Sequence, residues 1–303
     1  MQLGFVSAIF SDQSLEQVLA FAATEGYECV EVMCWPAGGP DRKFGGVTHL
    51  DVNGFTQANA DDVRGLCEKH GVCISALGYY SNPLAADAEE AERARMHLKK
   101  VIDAAPLLGL DIVNSFVGAN TRLPLEDNLQ RFAAVWPELV RYAEDRGVRI
   151  GIENCPMLFP NTWPFGMNLA RTPAVWRRMF EIIPSASFGL NYDPSHLVMQ
   201  LIDPIAPIRE FGPRIFHTHA KDMQIGHDRL QDVGSLELPL ARATAKLPGL
   251  GDIDWGRWVG ALADAHYNGA VCVEVEDEAF TETLEGRQRS LRISRDTLKP
   301  LVI

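Results

Sequence analysis

The sequence predicts an α/β protein built as a single (β/α)8 TIM barrel, and three observations carry that reading. Strand-like apolar runs alternate with helix-like amphipathic runs eight times along the 303 residues, the pattern of parallel βα units. No linker, repeat or low-complexity tract divides the chain, so residues 1–303 read as one domain, a length at which an α/β barrel runs undivided. Residues that carry chemistry stand at the ends of successive late strands, and a closed ring brings such ends together. Periodicity alone also allows a doubly wound sheet. The strand ends favour the barrel.

The elements follow in order. Leu3–Ile9 is the first strand, and Ser14 and Gln17 have capping-box spacing for a helix over 14–24. Cys29–Met33 is the second strand, followed by a glycine- and proline-rich loop near 34–56 and a helix over Ala60–His70. Val72–Leu77 is the third strand, with a long helix over Ala88–Leu108. Ile112–Val117 is the fourth, with its helix over Glu126–Arg146. Arg149–Glu153 is the fifth, and the loop near 154–171 holds Pro156, Phe159, Pro160, Trp163, Pro164 and Phe165. Thr172 and Pro173 begin the next helix as N-cap and first turn. Phe188–Tyr192 and Ile215–Thr218 are strands six and seven, joined by a short helix near Ile205–Phe211. A third long loop near 223–252 precedes the helix Trp255–His266, the strand Ala270–Val275 and a closing helix over Thr281–Thr297.

Composition narrows the function. The chain is 47% hydrophobic and 22% charged, with a net charge of −12. An acidic surface argues against nucleic acid and anionic membranes as partners. No stretch approaches the ~20 apolar residues of a membrane span, and the N-terminus has neither the basic lead nor the apolar core of a signal peptide. The six cysteines form no CxxC pair and read as buried free thiols of a cytoplasmic protein. His49, His70, His97 and His266 read as surface residues. Trp136, Trp176 and Trp258 lie on outer helices, as subunit contacts of a homo-oligomer or as packing between helix and sheet.

Four strand ends hold polar residues that a bare core would not want: Glu153 after strand five, Asp193 after six, His219 after seven and Glu274 after eight. Each alone has a plainer account. Asp193 precedes Pro194 as a turn-former would, His219 suits a hydrogen-bonded core position, and Glu153 or Glu274 suits a solvated rim. One per successive strand is a pattern that accident rarely makes. Three carboxylates and an imidazole suit one hard or borderline divalent ion, Mn²⁺ foremost, with Mg²⁺, Co²⁺ or Zn²⁺ as alternatives. His217 and Cys272, two residues earlier on the same faces, read as inner-layer filling. Lys221 and Asp222 contact substrate or pair with each other.

Asp193-Pro194-Ser195-His196, His217-Thr218-His219-Ala220-Lys221-Asp222, Pro248–Trp255 and Glu274-Val275-Glu276 resemble the motifs of the xylose isomerase-like TIM barrels. That superfamily holds sugar isomerases, ketose epimerases, inosose dehydratases and an apurinic-site endonuclease branch. The resemblance spans nearly the whole barrel and marks the superfamily rather than one reaction. It implies that Glu153, Asp193, His219 and Glu274 bind the metal and that His196 touches a substrate oxygen. In the epimerase branch it implies that Glu153 and Glu274 remove and return the proton alpha to a carbonyl. Glu31, Trp35, Phe116 and the Gly38–Gly46 loop are then expected around a small carbohydrate.

Two departures matter. The epimerases resembled carry a glutamate six residues after the strand-five glutamate and an arginine six after the strand-seven histidine, where this chain has Phe159 and Ile225. The aromatic, proline-rich loop after strand five suits a glycoside or an aryl-bearing sugar, or else only anchors itself. The endonuclease branch needs histidines after strands three and four, where the chain reads Tyr79-Tyr80-Ser81-Asn82 and Asn114-Ser115-Phe116-Val117. The sequence therefore supports a divalent-metal-dependent sugar isomerase or epimerase working through an enediolate. The alternatives are a metal-dependent lyase or dehydratase acting on a keto-sugar or keto-glycoside, and a non-catalytic barrel subunit of a sugar-degrading complex.

Overall fold

The computed structural model describes residues 1–39 and 46–302. Its strands are β1 (Gln2–Val6), β2 (Cys29–Met33), β3 (Cys73–Tyr79), β4 (Ile112–Ser115), β5 (Arg149–Glu153), β6 (Phe188–Tyr192), β7 (Ile215–Ala220), β8 (Asp222–Ile225), β9 (Ala243–Lys246) and β10 (Ala270–Val273). Eight of them close a barrel in the order β1-β10-β7-β6-β5-β4-β3-β2, with every neighbouring pair parallel. This is a (β/α)8 TIM barrel. β8 and β9 stand apart as an antiparallel pair.

Alternation along each strand explains both layers of the core. Ile150 and Ile152 on β5, and Phe188, Leu190 and Tyr192 on β6, face outward into the large helix–sheet core. Gly151, Glu153, Gly189 and Asn191 take the opposite, inward face. Gly151 is required there, because a Cβ would stand 2.5 Å from Asn114 Oδ1. Inside the barrel Cys29, Cys272 and Ala270 belong to one cluster with Val6 and Met33, the last residues of β1 and β2. A Cβ on Gly4 would meet Cys29 Sγ at 2.5 Å and Cys272 Sγ at 3.0 Å, so both sulfurs fold over that glycine. Beside the two sulfurs the filling is polar. His217 Nε2 lies 3.0 Å from Ser75 Oγ, and His217 Nδ1 lies 3.0 Å from Asn191 Oδ1.

The capping box is present: Gln17 N donates to Ser14 Oγ, and Ser14 N donates to Gln17 Oε1. Thr172 precedes the helix Pro173–Ile182 without a side-chain cap hydrogen bond. β1 stops at Val6 rather than Ile9, because Ser7–Phe10 turns as a 3₁₀ helix and Ser7 Oγ takes the Met33 amide.

Several expectations need correction. The loop near 223–252 is not irregular: it holds the β8–β9 pair and a helix over His227–Val233. Met223, Ile225 and Ala243 form a small core with Leu158 and Met199, against which Trp163 packs. Phe165 is stacked by the Arg171 guanidinium at 4.1 Å. Both aromatics therefore anchor the strand-five loop. Trp136, Trp176 and Trp258 are fully buried between helix and sheet and offer no subunit contact. Their indoles fill the gap that wide helix spacing leaves over a barrel, and Trp136 Nε1 donates to Val117 O at 3.1 Å. His97 is buried, its Nε2 2.7 Å from Cys34 O. Cys73 is exposed at the barrel base, while all six cysteines are free. Among the described residues no helix is long and apolar enough to cross a membrane.

Candidate metal centre and active site

The site is built where strands end. Glu153 closes β5, and the next residue, Asn154, ties that end to β6: its Oδ1 accepts from Asp193 N and its Nδ2 donates to Asp193 O, each at 2.8 Å. Asn168 Nδ2 donates to Glu153 O at 2.9 Å, which holds the start of the loop. Asp193 is both a turn-former and a site residue. Its Oδ1 accepts from Ser195 N at 2.7 Å, while its buried Oδ2 faces Lys221 Nζ at 3.3 Å and His196 Nε2 at 3.4 Å.

His196 follows on a single helical turn, Ser195–Val198, with Nε2 3.2 Å from Glu153 Oε1 and 3.4 Å from Asp193 Oδ2. His219 projects from β7. Its Nε2 is 2.7 Å from Glu31 Oε2, and its Nδ1, without a hydrogen-bond partner, stands 3.7 Å from Glu153 Oε1 and 3.6 Å from Glu274 Oε2. Ligand atoms of Glu153, Asp193, His196 and Glu274 lie within 4.8 Å of one another. Three of the four expected ligands and His196 form this cluster, while His219 groups with Glu31 and His217 and borders it through Nδ1.

The donor set fits a divalent ion. The buried His219 Nδ1 faces the carboxylates with no hydrogen bond of its own, and Asp193 Oδ2 is met only by the Lys221 and His196 nitrogens at 3.3 and 3.4 Å. The carboxylate beneath His219 orients the ring as metal-bound histidines are usually oriented, by taking the N–H of the other nitrogen. Three carboxylates with one or two imidazoles suit a borderline ion.

Lys221 sits among these groups and is 1% exposed. Its Nζ lies 2.5 Å from Glu274 Oε2, 3.0 Å from Glu276 Oε2 and 3.3 Å from Asp193 Oδ2. Burial opposes its charge, but Glu274, Glu276 and Asp193 outweigh it and hold the ammonium well above its ordinary range. Burial likewise opposes an imidazolium at His219, and Glu31 and Glu274 raise it nonetheless. Burial pushes Glu274 up, but Lys221 and His219 bring it far below the carboxylate range. Glu276 moves the other way, raised chiefly by burial.

Two expected substrate contacts are placed elsewhere. Glu31 is fully buried beneath His219 and also accepts from the Tyr80 hydroxyl, because it lies mid-strand in β2 and points into the barrel below the rim. Asp222 does not pair with Lys221. It opens β8, which leaves the barrel, and its oxygens accept from Met223 N, Gly249 N, Ile253 N and Trp255 Nε1 at 2.8–3.1 Å. Trp35 and Phe116 do line a cavity of about 550 Å³ with Tyr80, Met157 and Met167. Phe116 packs on Tyr80 at 5.1 Å between centroids, and Tyr80 on His219 at 5.9 Å. Of the loop expected to close over a sugar, residues 40–45 lie outside the described residues.

Sequence reasoning missed Tyr80, Asn154 and Asn191 as parts of the site. Asn191 Nδ2 donates to the Tyr80 hydroxyl at 2.9 Å and lies 3.0 Å from His219 Nε2. The available signal was spacing: Asn191 stands two residues before Asp193, on the same inward face of β6.

The family model for xylose isomerase-like TIM barrels matches residues 19–299. The uncharacterized protein YfiH of Bacillus subtilis (strain 168) is 26% identical over the whole chain and 99% of its own length. An inosose dehydratase of Clostridium tetani (strain Massachusetts / E88) is 33% identical over 113 residues, which are 36% of this chain and 37% of that protein. Among solved structures, the IOLI protein with a binding zinc atom superposes with a TM-score of 0.74 at 18% identity, covering 100% of this chain and 98% of that one. With its closed barrel and the match over residues 19–299, this chain belongs to the xylose isomerase-like TIM barrel family.

Proposed function

We propose that this protein is a sugar isomerase or epimerase that abstracts the proton alpha to a carbonyl, with one divalent ion held by Glu153, Asp193, His219 and Glu274. One observation carries the reading: Glu153 Oε1 and Glu274 Oε2 flank the unpartnered His219 Nδ1 at 3.7 and 3.6 Å. The two carboxylates stand on either side of that ring nitrogen, which supports a site where an ion and a sugar beside it would face both. The ion, Mn²⁺ by preference, would supply positive charge next to the oxyanion that develops as the proton leaves.

The residues of the chain do the rest. Glu153 takes the proton on its carboxylate, and Glu274 returns one from the other side. His196, 3.2 Å from Glu153, orients that carboxylate and meets a substrate hydroxyl. Lys221 balances the charge of Glu274. Trp35 and Phe116 wall the cavity and cover the CH faces of the sugar. The chain keeps all four of these residue types at its strand ends, where an idle accessory barrel would be expected to lose one. The free state of all six cysteines fits a reducing cytoplasm.

A second reading, elimination from a keto-glycoside, is favoured by the extent of the cleft. The 550 Å³ cavity shares Asn82, Glu90 and Met167 with a neighbouring cavity of about 500 Å³ whose lining adds Asp87, Arg122 and Asn161. A second cavity beside the first leaves room for a sugar carrying a second group. Elimination starts from the same enediolate and differs in losing that group.

Incubation of Mn²⁺-loaded protein in D₂O with ketoses and keto-glycosides, followed by NMR beside Glu153→Gln, tests both. Deuterium at the alpha carbon of recovered sugar, absent in the variant, supports isomerisation or epimerisation. Release of a leaving group supports the lyase. No exchange and no release across the panel refutes both.

A further inference from the structure

The charge at the centre of the site is supplied by a side chain. Lys221 Nζ has three N–H donors and three carboxylates around it, at 2.5 Å (Glu274), 3.0 Å (Glu276) and 3.3 Å (Asp193). Two of these are proposed ligands of the ion, and the atoms coincide. Oδ2 is the oxygen of Asp193 left free by the Ser195 amide, and Glu274 Oε2 is the oxygen that faces His219 Nδ1. An ion held by these oxygens takes the electron pairs that Lys221 now uses. The third carboxylate differs. Glu276 is not within the ligand cluster, and its side chain is 32% exposed where that of Glu274 is 17% exposed.

We propose that Lys221 is the resident cation of the metal-free site and that Glu276 is the carboxylate that receives it when a divalent ion enters. The proposal rests on the metal reading above. Without Lys221, Glu153, Asp193 and Glu274 would be buried together with only the His196 and His219 imidazoles beside them, and Glu276 would add a further carboxylate, an under-compensated cluster that is destabilising. Lys221 removes that cost and keeps the ligands preformed. Metal entry then needs only a short movement of a flexible four-carbon stem along the 274–276 edge, from Glu274 toward Glu276, with no refolding. Glu276 is a positioning residue in this scheme and acts on the ion only through Lys221.

The test is Mn²⁺ titration calorimetry on the chelator-stripped full chain, with thermal melts of the same samples. Lys221→Met removes the competitor, so Mn²⁺ binds about tenfold tighter, within the usual span of a coupling between two sites, while the metal-free protein melts at lower temperature. Glu276→Gln removes the receiving carboxylate, so Mn²⁺ binds about tenfold more weakly by the same coupling, and the metal-free melt stays near wild type. In the double variant the Glu276→Gln effect disappears, which a merely structural glutamate would not produce.

Equal affinity for wild type and Glu276→Gln overturns the exchange, as does weaker binding by Lys221→Met or a Glu276→Gln effect that persists without Lys221. If Lys221→Met does not fold, Lys221→Gln takes its place in the single and the double variant, and the same outcomes decide. Absence of Mn²⁺ binding by wild type overturns the metal reading together with this proposal, and so is distinguishable from failure of the exchange alone.

Discussion

Replacing Asp222 by alanine separates a structural role from a substrate contact. Its Oδ1 accepts from Met223 N at 2.8 Å and Ile253 N at 3.1 Å, and its Oδ2 from Trp255 Nε1 at 2.8 Å and Gly249 N at 3.0 Å. Met223, Ile253 and Trp255 are buried, so three donors lose their partner away from solvent. At about 1–3 kcal/mol for each orphaned donor, with partial relief from water entering the vacated space, the cost is about 3–6 kcal/mol. Unfolding entropy of about 2.1 cal/mol/K per residue gives roughly 0.6 kcal/mol/K for a chain of 303 residues. The expected fall in Tm is therefore about 5–10 °C by the same scaling. Asp222→Asn retains one carbonyl acceptor and turns an amide toward the other donors, so it falls by an intermediate amount. The assay is a thermal melt by circular dichroism of the metal-free protein, paired with steady-state kinetics below the melt. A Tm within about 1 °C of wild type, with KM raised, would refute the structural role and return Asp222 to the substrate.

Two further outcomes are expected. Cys73 is exposed, and a hydrogen bond from Cys29 stabilises its thiolate and brings it down to about 7. Because the thiolate is the reactive form, iodoacetamide labelling of Cys73 rises through a midpoint near that pH, and Cys29→Ala moves the midpoint up toward the ordinary thiol value of ~8.5. A midpoint unmoved by Cys29→Ala contradicts the assignment. If the proposed ion is bound, its removal by a chelator lowers Tm without unfolding the chain. An ion held at a hundred times its Kd contributes about 2.7 kcal/mol, or roughly 4 °C for a chain of this length. A metal-free sample that has lost its far-UV circular dichroism would contradict the preformed site.

Much of the barrel is legible locally. The Ser14–Gln17 box, the Asp87 cap and the αL glycines at 26 and 71 stop and start helices through neighbours a few residues away. The β8–β9 pair was missed because Met223 and Ile225 alternate over only four residues, and their partners Leu158 and Met199 come from other loops. Asp193 could be read as turn or ligand because each role uses one oxygen, Oδ1 for the Ser195 amide and Oδ2 for the cluster.

What the sequence by itself determined is the set of strand ends. Period-two alternation places Glu153, Asp193 and His219 on inward faces, and a closed parallel barrel brings inward strand ends to one rim whatever the loops do. What only the tertiary structure decided is depth and pairing. Glu31 and His219 are 188 residues apart in sequence and 2.7 Å apart in space, while Lys221 turns from its neighbour Asp222 to the carboxylates of Asp193, just past β6, and of Glu274 and Glu276, beyond β10. The stagger of the strands sets how far each side chain stands below the rim. A buried charge then takes whichever partner that geometry supplies, because leaving it unpaired in a dry interior costs more than any local preference.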